Sequence, residues 1–123
     1  MPSAIQSNLQ SLRDELAAFA SEAGRDSGSV RLVAITKTRT VEEVREAYDA
    51  QQRVFGENKM QEMQAKVGEL PQDCEWHFVG HLQKNKVRAA VQTAAWIHSV
   101  DSGKLVSRID RIADEEGRCP QVL

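Results

Sequence analysis

The sequence predicts an α/β fold of parallel βα units, amounting to about half of a TIM-type barrel and preceded by one helix. Three observations carry that reading. Five short apolar runs open at Leu32, Val54, Trp76, Trp96 and Pro120, so they recur every 20 to 24 residues, an interval that fits a strand, a crossover helix and two short loops. The runs are continuous and do not alternate with polar residues, as expected of parallel strands buried on both faces. Polar residues follow each of the first four: Thr36-Lys37, Glu57-Asn58, His81-Leu82-Gln83 and Ser99 to Ser102. In parallel α/β folds ligands bind outside the carboxyl ends of the strands, so these residues should converge on one site.

The first element is an amphipathic helix. Ile5, Leu9, Leu12, Leu16 and Phe19 recur at three- and four-residue steps, Ser3 and Gln6 have capping-box spacing, and Gly24 is placed to end the helix. Arg25 to Ser29 reads as a connecting loop, and no domain boundary is apparent. The first strand covers Leu32 to Ile35; Thr40 and Glu43 then form a second capping box, with Val41, Val44, Ala47 and Tyr48 on the face that packs on the sheet. The second strand, Val54-Phe55, runs into Gly56. Asn58 is a good N-cap for the next helix, whose apolar side is Met60, Met63, Val67 and Leu70 before Pro71 stops it. The methionines read as core packing. Trp76 to Val79 form the third strand and Trp96 to Val100 the fourth, and Asp101 caps a helix that carries Leu105, Ile109 and Ile112 toward Gly117. Pro120 to Leu123 begin a fifth strand. A closed eight-stranded barrel usually takes about 250 residues, so residues 1–123 read as the N-terminal half of a single barrel domain.

Composition narrows the function. The chain has 123 residues, 41% hydrophobic and 28% charged, ordinary for a soluble domain. Sixteen basic residues stand among eighteen acidic ones for a net charge of −2, which leaves no electrostatic footprint for nucleic acid or an anionic membrane. Arg13, Asp14 and Glu15 interrupt the opening segment, and no stretch is long enough to span a bilayer. A cytoplasmic location is expected. Cys74 and Cys119 lack CxxC or Cys/His spacing and read as reduced thiols; no metal site is expected.

Lys37 is the first candidate for chemistry. At the mouth of a buried strand, desolvation and nearby Arg39 would favour the neutral amine, the form that attacks an aldehyde. A solvated surface amine is the alternative. His77 and His98 lie inside apolar strands and read as buried, hydrogen-bonded core histidines. Lys84, Lys86 and Arg88 read as a solvated helix face.

Four strings, taken in order, are specific. Leu32-Val-Ala-Ile-Thr-Lys-Thr-Arg39, Val54-Phe-Gly-Glu-Asn58, Trp76-His-Phe-Val-Gly-His-Leu-Gln83 with Asn85-Lys86, and Trp96-Ile-His-Ser-Val-Asp-Ser102 resemble the pyridoxal phosphate homeostasis family. That family is similar to the N-terminal barrel domain of alanine racemase. The resemblance implies a pyridoxal 5′-phosphate binding protein of vitamin B6 homeostasis, with the cofactor held as a Schiff base on Lys37 and without established catalysis. It also implies that Asn58 lies near the cofactor, and His81 and Gln83, past the third strand, are further candidates to face its ring. The chain departs from the family in two places. The family commonly has Ser-Lys-Thr-Lys-Pro where this chain has Thr36-Lys37-Thr38-Arg39-Thr40, and Tyr-Val where it has Lys59-Met60. The family's phosphate-binding serine, glycine and threonine belong to the last two strands, beyond residue 123. Two other readings stay open: a pyridoxal phosphate-dependent racemase-like enzyme, which would need an acid/base pair, and an inactive fragment. The expected partner is a small-molecule cofactor, without nucleic acid or membrane. A full-length relative is expected to be monomeric, and this half, with open edge strands, to self-associate.

Overall fold

The computed structural model describes all 123 residues. Helix α1 (Ala4–Glu22) starts at the expected capping box. The Ser3 hydroxyl accepts from the Gln6 N–H at 3.2 Å, and the Gln6 side chain accepts from the Ser3 N–H at 3.0 Å. Such a cap contributes about 1 kcal/mol. Gly24, at φ +71°, closes the helix in the left-handed region that glycine tolerates. The stripe is only partly covered: Leu9 is buried, while Leu12 and Phe19 stay 45% and 62% exposed. Arg13 ties α1 to the next unit through the Ala50 carbonyl, 2.5 Å, and Gln52 Oε1, 3.0 Å.

Five strands follow, β1 (Ala34–Ile35), β2 (Val54–Glu57), β3 (Glu75–Phe78), β4 (Trp96–Ile97) and β5 (Gln121–Val122). They alternate with α2 (Val41–Asp49), α3 (Met60–Glu69), α4 (Val87–Thr93) and α5 (Gly103–Glu116). The sheet is wholly parallel, in the order β1-β2-β3-β4-β5. Strictly sequential order is the barrel arrangement, since a doubly wound sheet reverses direction at a switch point. β1, β4 and β5 are shorter than their apolar runs, whereas β2 extends through Gly56 and Glu57 and β3 starts one residue early, at Glu75. Edge strand β1 begins at Ala34 and not Leu32, because its ladder with β2 spans only Ala34–Phe55 and Ile35–Gly56. β4 ends at Ile97 and not Val100, and β5 begins after Pro120, which has no N–H to give the ladder.

Register sorts the side chains. Phe55, Trp76, Phe78 and Ile97 pack with Val44, Met60, Met63, Val87, Val91, Leu105, Ile109 and Ile112 in one core between sheet and helices. The alternate positions, Gly56, His77 and Trp96, share the opposite face. Ile35 belongs with them and is 47% exposed. Capping differs from expectation twice. Lys59, not Asn58, occupies the N-cap of α3 and gives no side-chain bond, because the helix starts one residue later. Ser102, not Asp101, caps α5, its hydroxyl accepting from the Leu105 N–H at 3.2 Å. Gly117 closes α5 at φ +65° as expected. The basic run divides: Lys84–Lys86 form a 3-10 turn, whereas Arg88, on α4, pairs with Glu115 at 2.6 Å and Glu116 at 2.8 Å on α5.

Gly80 lets two strand ends approach, since a Cβ there would fall 2.1 Å from the Asn58 carbonyl oxygen. Backbone cannot yield as a side-chain tip does. Gly80→Ala should lower stability by about 2 kcal/mol. Gly68→Ala, on the exposed side of α3 with nothing within 4 Å, should raise it by about 0.5 to 1 kcal/mol. Urea unfolding midpoints check the pair, and equal shifts would contradict the packing described.

Candidate functional site

The carboxyl ends of β1 to β4 meet in one rim. After β1 the chain turns tightly: the Arg39 N–H donates to the Thr36 carbonyl at 3.0 Å, with Lys37 and Thr38 at the centre. Thr38 has φ +62°. A β-branched residue in the left-handed region is strained and persists only where its surroundings fix it. The Thr36 N–H donates to the Gly56 carbonyl at 2.9 Å, extending the ladder by one bond before the chain turns away at Lys37. The third and fourth ends are joined where the Ser99 hydroxyl donates to the Gly80 carbonyl.

Beneath the rim lies a buried ionic group. Glu57 is wholly inaccessible and Lys66, from α3, is 6% exposed. The Lys66 Nζ donates to Glu57 Oε2 and to the Thr36 carbonyl, each at 2.6 Å. The Thr36 hydroxyl donates to the same Oε2 at 2.8 Å, and the Asn58 N–H donates to Oε1 at 3.2 Å. Burial alone would push the Glu57 carboxyl up; the bonds from Lys66, Thr36 and the Asn58 N–H outweigh it and hold the group below the ordinary carboxylate value. Glu57 is therefore an ion in the interior, satisfied on both oxygens.

A second polar string crosses the sheet face opposite the core. Arg31 donates to Glu75 at 2.5 Å, the Glu75 Oε2 lies 2.7 Å from His77 Nε2, and His77 Nδ1 lies 2.8 Å from His98 Nε2. Burial raises the Glu75 carboxyl, but His77 and Arg31 bring it below the usual range. An ionised Glu75 only accepts, so His77 donates from Nε2; in the neutral pair its Nδ1 then accepts from His98. Trp96 stacks on His77 with ring centroids 5.7 Å apart. Burial, and then the neighbouring His77, push the His98 imidazole below its ordinary value. Both histidines are hydrogen-bonded, as read from the sequence, with His77 buried and His98 half-buried.

The rim gathers most of the expected residues. Asn58, His81 and Gln83 line one cavity of about 370 Å³, with Phe78, Met60 and Lys86. His81 and Gln83 also line a neighbouring one of about 350 Å³ with Ser102, Lys104 and Arg108. Lys37 lines neither and is exposed at its turn, so the expected burial is not found, and Arg39 pairs with Glu43 at 3.2 Å. Cys74 and Cys119 are free. No three metal-binding side chains cluster, and no helix is long and apolar enough to cross a membrane. Sequence reasoning passed over Lys66. Its signal was there: Lys66 falls three residues after Met63 and four before Leu70, on the apolar stripe of α3.

No family model matches the chain. Curated relatives do. The pyridoxal phosphate homeostasis protein of Synechocystis is 45% identical over 97 residues, covering 77% of this chain and 44% of that protein. The protein of the same name from Vibrio alginolyticus is 36% identical, covering 98% of this chain and 54% of its own length. Among solved structures, PipY of Synechococcus elongatus with pyridoxal phosphate bound superposes with a TM-score of 0.74 at 47% identity, over 87% of this chain and 51% of PipY. The chain spans about half the length of the curated relatives it matches. It is a homologue of the pyridoxal phosphate homeostasis proteins.

The His98 imidazole titrates below 6.5 in the folded state, so the unfolded chain takes up that proton first. Its contribution to stability is present above the ordinary imidazole value and is lost as the pH falls below it and through the lower value of the folded state. Melting temperatures should decline from pH 7.5 to 5.5, less steeply in His98→Asn. Equal slopes in the two proteins would contradict the assignment.

Proposed function

We propose that this homologue of the pyridoxal phosphate homeostasis proteins forms one half of a single barrel domain that binds pyridoxal 5′-phosphate in the cytoplasm and serves its homeostasis. Lys37 supplies the amine that takes the cofactor's aldehyde. The observation that carries this reading is the turn after β1. It presents an exposed primary amine at the carboxyl end of a parallel strand, in a chain matched by a neighbour solved with that cofactor. Two free cysteines and the absence of a membrane-crossing helix support the location.

The donor set fits the aldehyde end of the ligand. Lys37 is accessible, and Asn58, His81 and Gln83 add amide and imidazole groups around a cavity at the same end of the sheet. When bound, the cofactor supplies an electrophilic carbonyl and an electron-withdrawing ring. The chain's own part is to aim one amine and to surround the ring with polar groups.

Incubation with pyridoxal phosphate, borohydride reduction and peptide mass spectrometry should place the fixed adduct on Lys37, and Lys37→Arg should remove it from that peptide. A wild-type adduct on Lys59 or Lys86 instead would overturn the assignment. Asn58→Ala should weaken cofactor uptake by about fivefold to tenfold, the loss of one hydrogen bond. Unchanged uptake would leave Asn58 without a ligand contact.

The open sheet face, with Ile35, and the exposed Val122 and Leu123 at the far edge should make this half self-associate. Light scattering should report species larger than the 13.7 kDa chain. A monodisperse monomer would argue against it.

A further inference from the structure

We propose that Lys66 is a positioning residue for Lys37: anchored on Glu57, its ammonium grips the Thr36 carbonyl and fixes the turn on which Lys37 stands. The inference rests on the reading of Lys37 as the amine that takes the cofactor. Geometry carries it. The Thr36 carbonyl accepts twice, from Lys66 Nζ at 2.6 Å and from the Arg39 N–H at 3.0 Å. With both lone pairs engaged, the peptide plane that enters Lys37 can rotate only by breaking hydrogen bonds. The Thr36 hydroxyl, bound to Glu57 at 2.8 Å, holds the same residue from its side chain. This pinning accounts for the left-handed Thr38 one residue beyond Lys37, a conformation its own side chain disfavours. The other Glu57 oxygen accepts from the Asn58 N–H at 3.2 Å. One ion pair therefore fixes the backbone of both residues placed at the cofactor.

A role in stability alone does not account for this placement. A buried ion pair can often be replaced by apolar side chains of similar volume without loss of stability, and α3 is otherwise packed through Met60 and Met63. The charge is spent on two strand ends at the rim.

The test uses the full chain as wild type, as the paired variant Glu57→Gln/Lys66→Met, which leaves no unpaired buried charge, and as Lys66→Arg. Two quantities are read: hydrogen exchange at the Arg39 and Asn58 amides, and the share of borohydride-fixed pyridoxal phosphate adduct found on Lys37. In the paired variant both amides should exchange about tenfold faster while those of α5 keep their rates, since hydrogen bonds to a charged group are lost locally. The adduct should spread from Lys37 to other lysines. Lys66→Arg should restore part of both. Unchanged exchange, or an unchanged share on Lys37, in a folded paired variant overturns the proposal. If the wild type itself gives no adduct on Lys37, the cofactor reading fails, and the exchange measurement alone decides the positioning role. If the paired variant does not fold, Glu57→Gln/Lys66→Gln takes its place, since it keeps neutral polar groups while shortening the side chain that reaches the Thr36 carbonyl, with the same directions expected and unchanged readouts again overturning the idea.

Discussion

A carboxylate without access to water stands where β1, β2 and α3 meet, and the shape of the rim follows from satisfying it. Removing one partner from such a buried pair typically costs about 3 to 5 kcal/mol, so Glu57 dictates what its neighbours can be. Lys66 must reach it from α3, Thr36 must turn its hydroxyl inward, and the chain after Glu57 must bend so that the Asn58 N–H returns to it. That bend brings the Asn58 carbonyl to within 2.1 Å of where a Cβ on residue 80 would stand, which leaves glycine there. Ser99 holds the carbonyl of that glycine. A chain of requirements thus runs from one charge across four strand ends.

The two faces of the sheet divide the labour. The helix side is an ordinary apolar core, with the Phe55 and Trp76 rings 5.4 Å apart. The other side carries the Arg31–Glu75–His77–His98 string under a stacked Trp96, polar groups that satisfy one another within a single layer. Adjacent strands supply them because parallel register places His77 opposite Trp96 and Val54 opposite Glu75. The rim chemistry is reached from loops while its rigidity comes from strands, the usual division in barrel enzymes and binding proteins.

Much of the fold could be read from the sequence because the interval of the apolar runs reports the βα unit directly. Both capping boxes, the glycine stops at Gly24 and Gly117 and the burial of Met60 and Met63 followed from local chemistry. Strand limits did not, since ladder length depends on neighbours that no local pattern encodes; β1 and β4 each pair over two residues despite longer apolar runs. Asn58 and Asp101 are plausible caps by residue type, yet Glu57 engages the Asn58 N–H and α5 starts one residue later than Asp101 requires. Asn58, His81 and Gln83 could be gathered from their positions after strands. The Lys66–Glu57 pair could not, because its partners are set by how α3 lies across two strands.

Helix α4 is only seven residues long and has no side-chain cap at its start. Helices shorter than about twelve residues scarcely form alone in water, because nucleation fixes several dihedrals for one hydrogen bond. Here Val87, Ala90 and Val91 are buried, and Arg88 and Gln92 reach Glu115 and Glu116 near the far end of α5. The helix of the third βα unit therefore leans on that of the fourth for its polar partners. A chain cut before Glu115 would leave Arg88 and Gln92 without these partners, so the third unit borrows part of its order from residues that follow it in the sequence.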